Sequence, residues 1–206
     1  AIRAKDPLAK VIFMGPCTAK KVEVKQPEVR DAIDYVITFE ELRSLLDAKG
    51  LDLAQLSEIS AGEPSSYGRI FARTGGVAES VRRVAKLEGI DVEINPVRCS
   101  GIEECVRALK LASFGKLDGN LIEGMACPGG CVNGGGQPIQ HAVVRNFVDL
   151  KARRAEALYT ADRNNDVRKS HENEAIKTLY TEYLGKPGSH KAHEILHTSY
   201  VARKKY

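Results

Sequence analysis

Between Glu123 and Pro138 the chain reads Glu-Gly-Met-Ala-Cys-Pro-Gly-Gly-Cys-Val-Asn-Gly-Gly-Gly-Gln-Pro, a segment that few folds can accommodate. Cys127 and Cys131 flank a Pro-Gly-Gly turn, and five glycines fall within the eight residues 129 to 136. Lacking a Cβ, such a backbone can take positive φ and wrap its N–H groups around a compact anion. Thiolates select soft metals and iron–sulfur clusters, whose sulfides accept hydrogen bonds from those N–H groups. The segment therefore points to a cluster site. The competing reading is a glycine-rich turn holding two buried thiols.

A second stretch, Gly15-Pro16-Cys17-Thr18-Ala19-Lys20-Lys21-Val22-Glu23, places a thiol and an ammonium three residues apart, just after an apolar run. Lysine donors near a cluster can offset its negative charge, and Glu23, three residues further on, is placed to orient Lys20. Cys17, Cys127 and Cys131 make three thiols, whereas a 4Fe-4S cube takes four cysteines as a rule. Cys99, at a predicted strand end, is a weaker candidate for the fourth. Cys105 falls inside a predicted helix, where a cysteine usually acts as a small buried hydrophobe.

The surrounding pattern alternates. Residues 11–14 form an apolar run ending in Gly-Pro, which reads as a buried strand. Thr38 with Glu41 forms a capping box for a helix reaching residue 49, and Gly50 stops it. Val77, Val81, Val84 and Leu87 share a face of a helix over 76–88. A strand is predicted over 91–97, a helix over 101–114 with Ile102, Val106, Leu109 and Leu111 toward the core, and a strand over 120–126. A polar helix follows over 141–159, and another over 174–184. The prediction is an α/β chain with a mainly parallel sheet flanked by helices, residues 1–159, and a small helical C-terminal appendage, residues 160–206. Functional loops of such folds gather at the C-terminal ends of the strands, where Cys17 and Cys127 both fall.

Composition excludes several classes. No apolar run approaches the roughly 20 residues of a membrane helix, so no membrane span is expected. The formal charge of +4 owes much to Lys151, Arg153, Arg154 and the terminal Arg203, Lys204 and Lys205. There is no Trp and no basic stripe with interleaved aromatics, so no nucleic-acid partner is expected. Five cysteines without secretory features argue for metal or redox chemistry over a disulfide framework. The glycines of 68–76 read as a packing feature without P-loop spacing. His190, His193 and His197 read as exposed or hydrogen-bonded side chains.

Taken together, the two cysteine stretches resemble the second and third active-site signatures of the iron-only (FeFe) hydrogenases. Pro16, Cys17, Lys20 and Glu23 match a Pro-Cys-x-x-Lys-x-x-Glu pattern, and Met125 through Pro138 match Met-Ala-Cys-Pro-Gly-Gly-Cys-x-x-Gly-Gly-Gly-Gln-Pro. Phe71 with Thr74-Gly75-Gly76-Val77 is similar to the segment between those signatures. Ser170-His171-Glu172-Asn173 and Leu196-His197-Thr198 resemble the small-subunit segment. The resemblance implies that Cys17 and Cys127 bind a 4Fe-4S cube and that Cys131 bridges it to a diiron unit, the whole being the H-cluster. It implies that Lys20 hydrogen-bonds a cyanide ligand and that Met125 packs beside the diiron unit. It further implies a cytoplasmic, anaerobic oxidoreductase of hydrogen metabolism that reversibly reduces protons to dihydrogen, with a ferredoxin or other electron-transfer protein as partner. Gly15 stands where many members have Met, and Ala72 where many have Gly. The first signature, with a further cube ligand, would precede Ala1, so the chain is expected to be inactive alone and to need a missing N-terminal part. The alternative is a non-catalytic, hydrogenase-like iron–sulfur protein, an assembly factor or a sensor.

Overall fold

The computed structural model describes residues 1–57, 66–164 and 169–199; the basic tail at Arg203, Lys204 and Lys205 lies outside them. Among the described residues the strands are β1 (Ile12–Gly15), β2 (Tyr35–Thr38), β3 (Pro96–Ser100) and β4 (Leu121–Met125). They form two separate parallel pairs, β1 with β2 and β3 with β4. The main helices are α1 (Phe39–Ala48), α2 (Gly76–Leu87), α3 (Ile102–Ser113), α4 (Ala142–Phe147), α5 (Leu150–Arg163), α6 (Glu174–Leu179) and α7 (His190–Leu196). The chain is thus α/β, with parallel strands flanked by helices and a helical C-terminal stretch.

Parallel pairing needs a crossover between strands. A loop containing the helical turn Lys20–Glu23 provides it in the first pair, and α3 provides it in the second. Gly15 lies level with Thr38, and Ser100 level with Met125, so both strands of each pair finish together. Whatever follows Gly15 and Met125 emerges at a strand C-terminal end. β2 is absent from the sequence reading, because its four residues merge with the capping box that begins α1.

That box is present in full: Thr38 Oγ1 accepts the Glu41 N–H at 3.2 Å, and Glu41 Oε2 accepts the Thr38 N–H at 2.8 Å. The Lys21 ammonium and then the Thr38 N–H and hydroxyl hold the Glu41 carboxyl down to about 2. A carboxyl depressed on folding contributes stability that is complete above its unfolded value and fades as pH falls through its folded one. The first turn of α1 is therefore expected to keep its amide protection at pH 4.5 and to lose it only as pH approaches 2. Hydrogen exchange at Glu41 in the complete protein measures this; fraying that is already complete by pH 4 would exclude the box as its cause.

Two helices bury a different side from the one their apolar stripes predict. Ala78 and Ala85 of α2 and Ala108 of α3 are buried, whereas Val81, Leu87, Ile102, Val106 and Leu109 are exposed. Small residues let these helices lie close to β4, while the larger apolar side chains point outward. The predicted strand over 91–97 begins only at Pro96, since among the described residues no strand pairs with 91–95; Asn95 instead exchanges hydrogen bonds with Asn120. The polar helix over 141–159 is two helices, broken at Val148, where the backbone is extended and Asp149 caps α5 through Ala152 N–H at 3.1 Å. Residues 159 and 160 both lie within α5. The helix expected over 174–184 finishes in a π-type turn, Tyr180–Leu184, closed by Gly185.

Candidate cluster site

The cysteine loop is fastened to both strand pairs. On one side Gly136 N–H donates to Pro16 O at 2.8 Å, and Gly136 O accepts the Glu40 N–H at 3.0 Å. On the other, Gly129 N–H donates to Ser100 Oγ at 2.9 Å, and Gly129 O accepts the Thr74 N–H at 3.1 Å. Glycine is required by contact at three points. A Cβ on Gly134 would lie 2.2 Å from Pro16 O, one on Gly136 2.7 Å from Thr38 Cγ2, and one on Gly130 2.6 Å from Thr74 N. Gly130 also carries a φ of +95°. Within the loop, Gly130 N–H returns to Cys127 O, and Gly134 N–H to Cys131 O, so the backbone turns sharply around each cysteine.

This stitching brings Cys17 and Cys127 within electrostatic reach of Cys131. Partial desolvation pushes the Cys131 thiol above its ordinary range, Cys17 and Cys127 push it further, and the Lys20 ammonium opposes them. Cys17 and Cys127 are half-buried and Cys131 is exposed. Lys20 Nζ donates to Glu23 Oε2, the partnership expected from their spacing. Met125 closes β4 half-buried, its carbonyl accepting the Gly101 N–H at 2.7 Å.

Among the described residues no three His, Cys, Asp or Glu side chains gather tightly enough for a single metal ion. A cube asks for a wider set, because each thiolate binds a different iron. Three soft donors on a glycine cradle, with a cation beside them, suit a polynuclear iron–sulfur group.

The weaker candidates lie elsewhere. Cys99 is inside β3, 2% exposed, and burial followed by the neighbouring Cys105 pushes its thiol up. Cys105 packs from α3 onto β4, where a Cβ on Gly124 would lie 3.2 Å from its sulfur. Gly76 serves packing as expected: its Cβ would fall 1.8 Å from Ile70 O. His193 and His197 face each other, Nδ1 to Nδ1, at 3.0 Å. One residue beneath the site escaped the sequence reading. Glu123, 7% exposed, accepts the N–H groups of Gly75 and Ala78 at 2.8 Å each and so caps α2 from β4. A lone acid within an otherwise apolar strand was its signal.

Comparison with known proteins agrees with this geometry. Residues 2–135 match the family model of the iron-only hydrogenase large subunit, C-terminal domain, and residues 148–203 match that of the iron hydrogenase small subunit. Iron hydrogenase 1 of Clostridium pasteurianum is 39% identical over 92% of this chain and 39% of its own length. Cytosolic iron-sulfur assembly component 3 of Bos taurus is 29% identical over 92% of the chain and 47% of its own. A variant of the FeFe-hydrogenase HydA1 from Chlamydomonas reinhardtii superposes with a TM-score of 0.70 at 27% identity, covering 98% of this chain and 66% of that one. A HydA(deltaEFG) structure concerned with stepwise H-cluster assembly gives a TM-score of 0.71 with the same coverage. The chain spans about two fifths of the length of the first curated relatives it matches. With a large-subunit match over most of its length and a small-subunit match beyond it, the chain belongs to the iron-only hydrogenase family.

Proposed function

We propose that the chain is the C-terminal part of an FeFe hydrogenase that, when complete, reversibly reduces protons to dihydrogen. What supports this reading is that Cys17 and Cys127, each following the end of a different strand pair, lie within electrostatic reach of Cys131, as does Lys20. In this reading Cys17 and Cys127 hold the cube, Cys131 bridges it to the diiron unit, Lys20 donates to a ligand of that unit, and Met125 shields it. When bound, the H-cluster supplies the redox chemistry, and the protein supplies ligation, hydrogen bonds and exclusion of water. Glu23 keeps the Lys20 ammonium in place, and the glycine loop holds the backbone in tight turns at Cys127 and Cys131.

An upstream segment of the same protein supplies the fourth thiolate and covers the outward apolar faces. Val81 and Leu87 of α2, Ile102 and Leu109 of α3, and Ile12 and Met14 of β1 are all exposed, although parallel strands and their helices are ordinarily covered. Electrons come from a ferredoxin-type protein in the cytoplasm. No helix among the described residues is long and apolar enough to cross a membrane. A non-catalytic assembly role is the second reading, favoured by the likeness to the Bos taurus assembly component.

Iron and acid-labile sulfide after anaerobic reconstitution test the ligation, comparing the 206-residue chain with a form extended upstream. The extended form is expected to hold about four irons per chain as a cube, and the shorter one markedly fewer. Equal absence of iron from both would remove the reading. Infrared bands of carbonyl and cyanide ligands in the matured protein separate the hydrogenase from the assembly factor.

A further inference from the structure

We propose that Arg154 is a positioning residue for Cys131, so that α5, in the small-subunit portion, forms part of the wall of the cluster site. The proposal rests on the cluster reading above. Arg154 Nη1 donates to Val132 O at 3.1 Å, and its Nη2 to Pro138 O at 3.5 Å. These carbonyls stand at the two ends of the glycine segment: Val132 immediately follows Cys131 in the same 3-10 turn, Cys131–Asn133, and is 4% exposed. One guanidinium thus spans the loop that carries the bridging thiol. Gln137 Nε2 also donates to Val132 O at 3.1 Å, so this carbonyl is held from two directions.

Other contacts show that α5 is registered on the loop rather than merely near it. One turn before Arg154, the aliphatic chain of Lys151 lies over Gly129, where a Cβ would meet Lys151 Cδ at 3.2 Å. Further along, the Arg73 guanidinium sits 4.9 Å from the centre of the Tyr159 ring and joins α5 to the turn whose Thr74 N–H holds Gly129 O. The helix itself buries only Asp162 fully, so no apolar stripe sets its rotation. Its polar contacts with the loop do that instead. A planar fork with two divergent N–H groups meets two separated carbonyls at once, which an ammonium on a flexible stem does less well.

The test uses the complete protein with R154K and R154Q, reconstituted anaerobically and then challenged with a ferrous chelator. Loss of the fork is expected to shorten cluster lifetime about tenfold in both variants, the factor that corresponds to one net hydrogen bond. The midpoint potential separates geometry from charge: R154K should keep the parental value while R154Q moves to a more negative one. In the apo form, amide exchange at Gly134 and Gly136 should quicken about tenfold, with β3 and β4 unchanged. Parental lifetime and exchange in R154K would overturn the proposal, as would uniform acceleration across the strands. If the parent binds no iron, the function reading falls, and the exchange experiment still decides the role of Arg154.

Discussion

In the complete protein, Cys127→Ala is expected to reduce retained iron from about four per chain to about three or fewer, because a cube that loses a cysteine ligand exposes an iron corner to exchange. The loop itself should survive. Cys127 contributes its carbonyl, not its thiol, to the turn that Gly130 closes, and alanine preserves that bond. Cys105→Ser provides the contrast, since its sulfur lies against Gly124 and the Met125 carbonyl and belongs to the packing of α3 on β4. Iron should stay at the parental level in that variant. Full iron in Cys127→Ala, or an equal loss in Cys105→Ser, would disconnect the cluster from the loop.

Glu123→Ala should cost about 3 kcal/mol of stability, measured by urea unfolding of the apo protein. Hydrogen bonds to charged groups contribute about 1.5–3 kcal/mol each, and alanine strands two buried N–H donors at the start of α2. Both are short, at 2.8 Å from Gly75 and from Ala78. Glu123→Gln keeps one acceptor and should cost about half as much. Amide exchange at Ala78 locates the effect; a change below about 0.5 kcal/mol, the scale of an ordinary surface substitution, would mean that the carboxylate does not hold the helix. Because Glu123 stands two residues before Met125 in β4, the same variant should also loosen the strand that delivers Cys127.

The site was more legible in the sequence than the core. Cysteines, glycines and a lysine point to cluster chemistry through residue type and spacing alone, and Cys17 and Cys127 do follow the C-terminal ends of strands. The limits of α1, α2 and α3 were equally readable, as with Thr38, Glu41 and Gly50 around α1. Periodicity misled at α2 and α3, because it reports which face is apolar and says nothing of which neighbour is present to cover it. The buried sides there are made of alanines, a glycine and a serine, which carry little hydrophobic signal. Residues 91–95 failed for a related reason: alternation makes a strand only where another strand offers hydrogen bonds. Glu123 and Arg154 act on backbone groups far away in the chain, and no local pattern encodes such partners.

The bond between Gly136 and Pro16 has a consequence for the order in which the molecule assembles. It joins two residues separated by every element from β2 through β4, so the entropy of closing that long loop must be met before the contact can reward it. The β3–α3–β4 unit, built from near neighbours, can form early. The span from Cys131 to Pro138 settles onto Pro16 late. During folding, therefore, the three thiols pass through a stage in which two are already side by side and the third is still free. Under the proposed function, iron and sulfide would enter an open cradle at that stage, before the last turn of the loop closes.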